Sequence, residues 1–302
     1  MSKNFDDLLS KVKSVKLKKL SVAVAQDEPV LEAVKSAKEQ GIADAILVGD
    51  KKAIREIAEK IGMDLTQYEV IHEPDIKKAA LFAVQLVSSG RADMVMKGLV
   101  DTATFLRSVL NKEVGLRTGK LMSHVAVFEI EGIDRLLYIT DAAFNTYPEL
   151  KDKKQIIENS VLVAHACGLA MPRVAPVCAV EVVNPNIQAT MDAALLSKMN
   201  ERGQIKGCIV DGPLALDNAL SEEAAHHKGI GGPVAGKADI IMLPNIETAN
   251  VMYKCLTYTA KSRNGGLLVG TSAPVILTSR ADSFATKVNS IALAALVSES
   301  LK

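Results

Sequence analysis

The sequence predicts an α/β fold built mainly on parallel strands. Three observations point there. Short β-branched apolar runs alternate with amphipathic helical runs over most of the chain. The helical runs repeatedly stop on glycine, the residue that best adopts the left-handed helix-end conformation. Only one place, near 120–140, breaks the alternation with two strand-like runs in direct succession.

Taken in order, SVAVA (21–25) is a strand, and DEPVLEAVKSAKEQG is a helix closing on Gly41. ADAILVGD is a strand and KKAIREIAEKIG a helix closing on Gly62. YEVIH is a strand, followed by the long helix DIKKAALFAVQLVSSG. ADMVMKG is a strand and TATFLRSVLNKEVG a helix. HVAVFEI and RLLYITD, joined by EGID, read as a hairpin. The helix DKKQIIENSVLVAHACGL, the strand PVCAVEVV, the helix IQATMDAALLSKMNERG and the strand IKGCIVDG follow. After a helical stretch and a glycine-rich loop come the strand ADIIMLP, the helix ETANVMYKCLTYTAKS, a glycine-rich turn, the strand-like LLVGTSAPVILTS and a final helix. No solenoid repeat or low-complexity segment occurs.

Of the 302 residues, 48% are apolar and 24% charged, with a net charge of +1. That supports a large core and excludes a disordered chain. It gives no electrostatic reason for a nucleic-acid partner. The N-terminus lacks the apolar core of a signal peptide, and no apolar run reaches the roughly 18 residues of a membrane span. A cytoplasmic location is expected. The four cysteines (167, 178, 208, 255) show no CxxC spacing, so neither a metal site nor a redox pair is indicated.

Ligands of parallel α/β sheets bind beyond the carboxyl ends of the strands. The polar residues there include Lys97-Gly98, Asp141, Asn145, Asp211-Gly212, Pro244-Asn245 and Thr278-Ser279-Arg280. Each alone is more often an ordinary turn or cap, and the joint pattern is what points to a site. The run TSRADS (278–283) is the sharpest signal, because Arg280 offers a planar fork for phosphate oxygens and Ser279 a hydroxyl donor. Asp282 stands just beyond. Thr104 and Arg107 lie on the helix after the Lys97-Gly98 turn. GGPVAGKA (231–238) imitates a P-loop, but it precedes a strand and lacks the hydroxyl residue after Lys237. It is read as a flexible loop beside the cleft. No glycine fingerprint for a dinucleotide and no nucleophile elbow occurs. The histidines lack metal-pair spacing, and the cysteines sit in apolar stretches as small buried hydrophobes.

PVAGKADIIMLPNIETANVMYK (233–254), PVILTSRADS, DTATFLR and IVDGPLALDNA together resemble, in order, the motifs of the phosphate acetyltransferase/phosphate butyryltransferase family. The likeness spans essentially the whole chain. Its length and Asp282 look more like the butyryl branch. The resemblance implies two doubly wound α/β domains with mainly parallel sheets and a cleft between them, of the isocitrate/isopropylmalate dehydrogenase-like kind. The domains would be 1–118 with 275–302, and 119–274, the second making a homodimer or higher homo-oligomer. It implies exchange of a short acyl group, butyryl preferred, between coenzyme A and inorganic phosphate by direct attack, with no tightly bound cofactor. Catalysis would rest on Ser279, Arg280 and Asp282. Phosphate or CoA binding would involve Arg107, Thr104, Lys97, Asn245 and Lys237. Where the acetyl branch carries an acidic residue in the last helix, this chain has Thr286. The alternatives are an acetyl-specific member of the family, a nicotinamide-dependent dehydrogenase and a non-catalytic ligand-binding protein.

Overall fold

Four successive helices begin on an aspartate whose side chain accepts from a backbone N–H of the first turn: Asp27, Asp50, Asp75 and Asp101. Such caps satisfy donors that have no partner within the helix. In a computed structural model describing residues 2–279 and 282–301, they set the βα rhythm of an N-terminal unit. That unit comprises Phe5–Lys120 and Asn264–Lys302, while a central unit comprises Met1–Asn4 and Leu121–Arg263.

In chain order the first elements are α1 (Phe5–Lys13), β1 (Lys18–Ala23), α2 (Glu28–Glu39), β2 (Ala43–Gly49), α3 (Lys51–Lys60), β3 (Glu69–His72), α4 (Ile76–Ser88), β4 (Met94–Lys97) and α5 (Thr102–Val109). The central unit holds β5 (Ser123–Ile130), β6 (Leu137–Thr140), α6 (Leu150–Ala166), β7 (Arg173–Pro176), α7 (Gln188–Glu201), β8 (Ile209–Val210), α8 (Leu216–Leu220), α9 (Glu222–His227), β9 (Ile240–Met242) and α10 (Ile246–Thr259). The chain returns with β10 (Ser262–Val269), β11 (Val275–Ile276) and α11 (Phe284–Ser300).

The strands of the N-terminal unit run β3-β2-β1-β4-β11-β10, parallel except for β10. Right-handed crossovers put α2 and α3 on one face, and the long return from β3 to β4 puts α4 on the other. Helix α2 buries Val30, Leu31, Ala33, Val34 and Ala37, one helical stripe, and packs against α11. Helix α11 is buried from Thr286 to Ser298. The fully buried Lys18 pairs with Glu299 near its end.

In the central unit the order is β5-β6-β9-β7-β8, with the β5–β6 hairpin antiparallel and the rest parallel. Ala126, Phe128, Ile139, Ala175, Ile241 and Ala249 share one core. Buried Asp239 is held by a two-pronged Arg173 contact of 2.9 and 3.0 Å.

Three details differ from the sequence reading. The second division of the chain lies at 263/264, where the sequence put it at 274/275, because residues from 264 onward pair into the N-terminal sheet through β10 and β11. The strand expected at PVCAVEVV is RVAP (173–176), and Val182 and Val183 are exposed loop residues. The glycine-rich turn near 264 is part of β10. There a Cβ on Gly265 would lie 3.0 Å from Asn289, so the missing side chain lets α11 sit directly on the strand.

Candidate active site

Strands β1 and β4 are neighbours, but the chain leaves them in opposite directions across the sheet. This is the switch point where doubly wound sheets bind ligands. Their ends meet in register, Ala23 opposite Lys97. Val24 then takes a left-handed conformation, φ 57°. For a β-branched residue that costs about 1–3 kcal/mol and marks a position fixed by its surroundings. The N–H groups of Gly98 and Leu99 donate to the carbonyls of Ala23 and Val24, both at 2.8 Å. A Cβ on Gly98 would lie 2.3 Å from the Val24 carbonyl oxygen, so only glycine allows this approach.

Beside the switch point lies a cavity of about 170 Å³, lined in part by Asp27, Lys97, Gly98, Thr278, Ser279 and Lys287. Lys97 and Lys287 are buried, and Ser279 is exposed. Ser279 is held in a reciprocal turn. Its N–H donates to Asp282 Oδ2 at 2.6 Å, and its carbonyl accepts from the Asp282 N–H at 3.2 Å. Lys287 Nζ donates to the Asp282 carbonyl at 2.5 Å. Ser283 caps α11, accepting from Thr286 N at 3.1 Å. Thr286 donates its hydroxyl to Asn264 Oδ1 at 2.7 Å, a buried link to β10. Arg280 lies outside the described residues.

Arg107 lines a second cavity, about 230 Å³, with Lys77, Thr104, Ser108 and Asn111. Its Nε donates to the Ala103 carbonyl at 3.1 Å and its Nη2 to Thr104 Oγ1 at 3.4 Å. Asp101 caps this helix by accepting from Thr104 N at 2.8 Å. That bond, with help from the Thr104 hydroxyl, holds the Asp101 carboxyl below the usual range. Ser279 and Arg107, read together from the sequence, therefore border two cavities of the N-terminal unit.

Asn245 and Lys237 belong to the central unit. Asn245 caps α10 through Thr248 N at 3.0 Å. Lys237 pairs with Glu222 at 3.3 Å, and Gly236 turns left-handed (φ 72°) hard against the Glu222 backbone. The false P-loop is thus packed on α9. Sequence reasoning overlooked Lys287 and Lys77. Lys287 was visible as the lone charge in the apolar run FATKVNSIALAALV.

Cys178 and Cys208 are each pushed up to about 11 by burial, which disfavours the nucleophilic thiolate. Among the described residues no group of three His, Cys, Asp or Glu side chains is placed to hold a metal ion. Nor is any helix long and apolar enough to cross a membrane.

The family model described as Phosphate acetyl/butaryl transferase matches residues 4–78 and 71–295. The chain belongs to this family. It is 76% identical over 297 residues to the phosphate butyryltransferase of Clostridium beijerinckii, covering 98% of each chain. It is 72% identical to that of Clostridium acetobutylicum, covering 98% of this chain and 99% of that one. Among solved structures, it resembles a branched-chain phosphotransacylase from Enterococcus faecalis with a TM-score of 0.83 and 32% identity, over 93% of this chain and 99% of that one. Membership in the phosphate acetyl/butyryl transferase family accounts for the α/β architecture read from the sequence.

Proposed function

We propose that this chain transfers a butyryl group between coenzyme A and inorganic phosphate: butanoyl-CoA and phosphate give butanoyl phosphate and CoA. The observation that carries the proposal is the near-complete, high-identity match to two clostridial butyryltransferases. The cavity at the switch point, with Ser279 at its rim and lysines in its wall, supports it chemically.

A phosphate oxygen attacks the thioester carbonyl and CoA leaves as a thiolate. An ordinary thiol pKa near 8.5 makes that departure tolerable. The obstacle is bringing two anions together. Arg280 and Lys97 offset the charge of phosphate and orient it, an effect mainly of proximity. Ser279 donates to the developing oxyanion, and Asp282 exchanges the proton of the CoA thiol. Arg107 and Thr104, in the second cavity, hold phosphate oxygens of CoA. The enzyme works in the cytoplasm as a homodimer or higher homo-oligomer, through the central unit, and keeps no tightly bound cofactor.

The test is phosphate-dependent release of free thiol from acyl-CoAs of two to six carbons. Butyryl-CoA should give the highest kcat/KM. A maximum at acetyl-CoA would make the chain an acetyltransferase. Thiol release that ignores phosphate would refute the reaction. Ser279→Ala should lower kcat by about a hundredfold to a thousandfold.

A further inference from the structure

We infer that Thr286 is a positioning residue for the acyl transfer: through Ser283 it fixes the turn carrying Ser279 and Asp282 to strand β10. This rests on the acyl-transfer reading above and adds to it a residue that acts through that turn.

The direction of the hydrogen bonds is the first argument. A threonine hydroxyl has one proton to donate. Thr286 Oγ1 donates it to Asn264 Oδ1 at 2.7 Å. The 2.9 Å contact between the Ser283 and Thr286 hydroxyls therefore runs from Ser283 to Thr286. Ser283 Oγ in turn accepts from Thr286 N at 3.1 Å. The result is a one-way relay from Ser283 through Thr286 to Asn264. Thr286 and Asn264 are both buried, and buried polar groups that lose a partner carry the full cost of desolvation.

The firmness of the anchor is the second. The Asn264 carbonyl accepts from Asn289 Nδ2 at 3.0 Å, and the Gly266 N–H donates to Ser290 Oγ at 3.0 Å. Both partners stand on α11, which is buried from Thr286 to Ser298. The end of the relay is thus fixed where β10 and α11 pack.

Position is the third. Ser283 directly follows Asp282, which closes the reciprocal turn with Ser279 at 2.6 and 3.2 Å. Lys287 Nζ holds the same turn at the Asp282 carbonyl, at 2.5 Å. Two successive residues of a buried helix therefore grip two successive residues of the turn. Ser279 and Ser283 are exposed, so solvent gives the turn no rigidity. A reacting or binding group displaced by about 1 Å can lose about a hundredfold in rate. The hold from beneath is what keeps the Ser279 hydroxyl in place.

The test is a double-variant cycle of Thr286→Val and Ser279→Ala, read by phosphate-dependent thiol release from butyryl-CoA. Valine keeps the branched shape and the backbone N–H that Ser283 caps, and removes the hydroxyl. Wild-type thiol release and the loss in Ser279→Ala alone check the acyl-transfer reading separately. Thr286→Val should lower kcat about tenfold to a hundredfold and leave the KM for phosphate and for butyryl-CoA within about threefold. Thr286→Ser should recover most of the rate. Residues that act through one another are not additive, so Thr286→Val should slow the Ser279→Ala enzyme by no more than about threefold. Equal losses in both backgrounds would overturn the assignment, because the hydroxyl would then act elsewhere. So would a wild-type kcat in Thr286→Val, or a loss that Thr286→Ser does not recover. Should Thr286→Val fail to fold, Ser283→Ala breaks the same link from the exposed side. It should show the same fall in kcat and the same non-additivity, and a wild-type kcat there would overturn the proposal.

Discussion

Gly98→Ala tests whether the geometry of the switch point matters for activity. The new methyl would lie 2.3 Å from the Val24 carbonyl oxygen and 2.7 Å from that of Ala23. Ordinary contact begins near 3.4 Å, so the first overlap is about 1.1 Å. Both obstacles are backbone, and the two 2.8 Å bonds from Gly98 and Leu99 already tie them to β4. Neither rotates away as a side chain would. The end of β4 must move by about 1 Å, or Val24 must leave its left-handed conformation. Overpacking of this kind costs about 1–3 kcal/mol of stability. The displacement acts on Lys97, the preceding residue, and a 1 Å misplacement of a binding group can cost about a hundredfold in rate. Thermal unfolding and steady-state thiol release on one preparation measure both effects. Loss of kcat/KM by about a hundredfold with moderate destabilisation is expected. Wild-type kinetics together with a wild-type melting temperature would refute the reasoning.

Asp282→Asn keeps an oxygen to accept from Ser279 N–H but removes a base. It should retain the fold and lose about a hundredfold to ten-thousandfold in thiol exchange, and unchanged rates would remove Asp282 from the chemistry. Burial raises the Asp211 carboxyl, with the nearby Glu201 charge adding to the effect. A carboxyl raised in the folded state contributes stability below its unfolded value that is lost as pH rises through the raised value. Asp211→Asn should therefore raise the melting temperature at pH 7, and the gain should vanish below about pH 3.8, the ordinary carboxyl value. Iodoacetamide should label the native protein at exposed Cys255 before the three buried cysteines, as peptide mapping would show. Equal labelling of Cys178 would contradict its burial.

The alternation of strands and helices was legible because each strand carries a continuous apolar run and most helices begin on a short polar cap. Boundaries failed where a local signal competed with a distant one. Asn264, Gly265 and Gly266 have turn chemistry, yet they lie in β10 because α11 packs onto their bare backbone through Asn289 and Ser290. Val182 and Val183 have strand chemistry but extend beyond Pro176, where β7 ends. Ser279 was legible because it follows an apolar strand. That Ser279 and Arg107 border separate cavities was not, since spacing along the chain does not say which side of a sheet a helix lies on. Lys287 was overlooked because a lysine in a helix usually faces water, although the apolar run around it signalled the burial that the packing of α11 shows.

The order of the strands also governs how the chain must mature during synthesis. Strand β4 lies between β1 and β11, but β11 is made only after the whole central unit, residues 121–263. At roughly 5–20 residues per second, the ribosome takes about seven to thirty seconds over that interval. Throughout it, one side of β4 presents unpaired amide and carbonyl groups, the kind of edge that invites pairing with another nascent chain. Expression yield should therefore respond to codon speed within 121–263 even when the finished protein is unaltered.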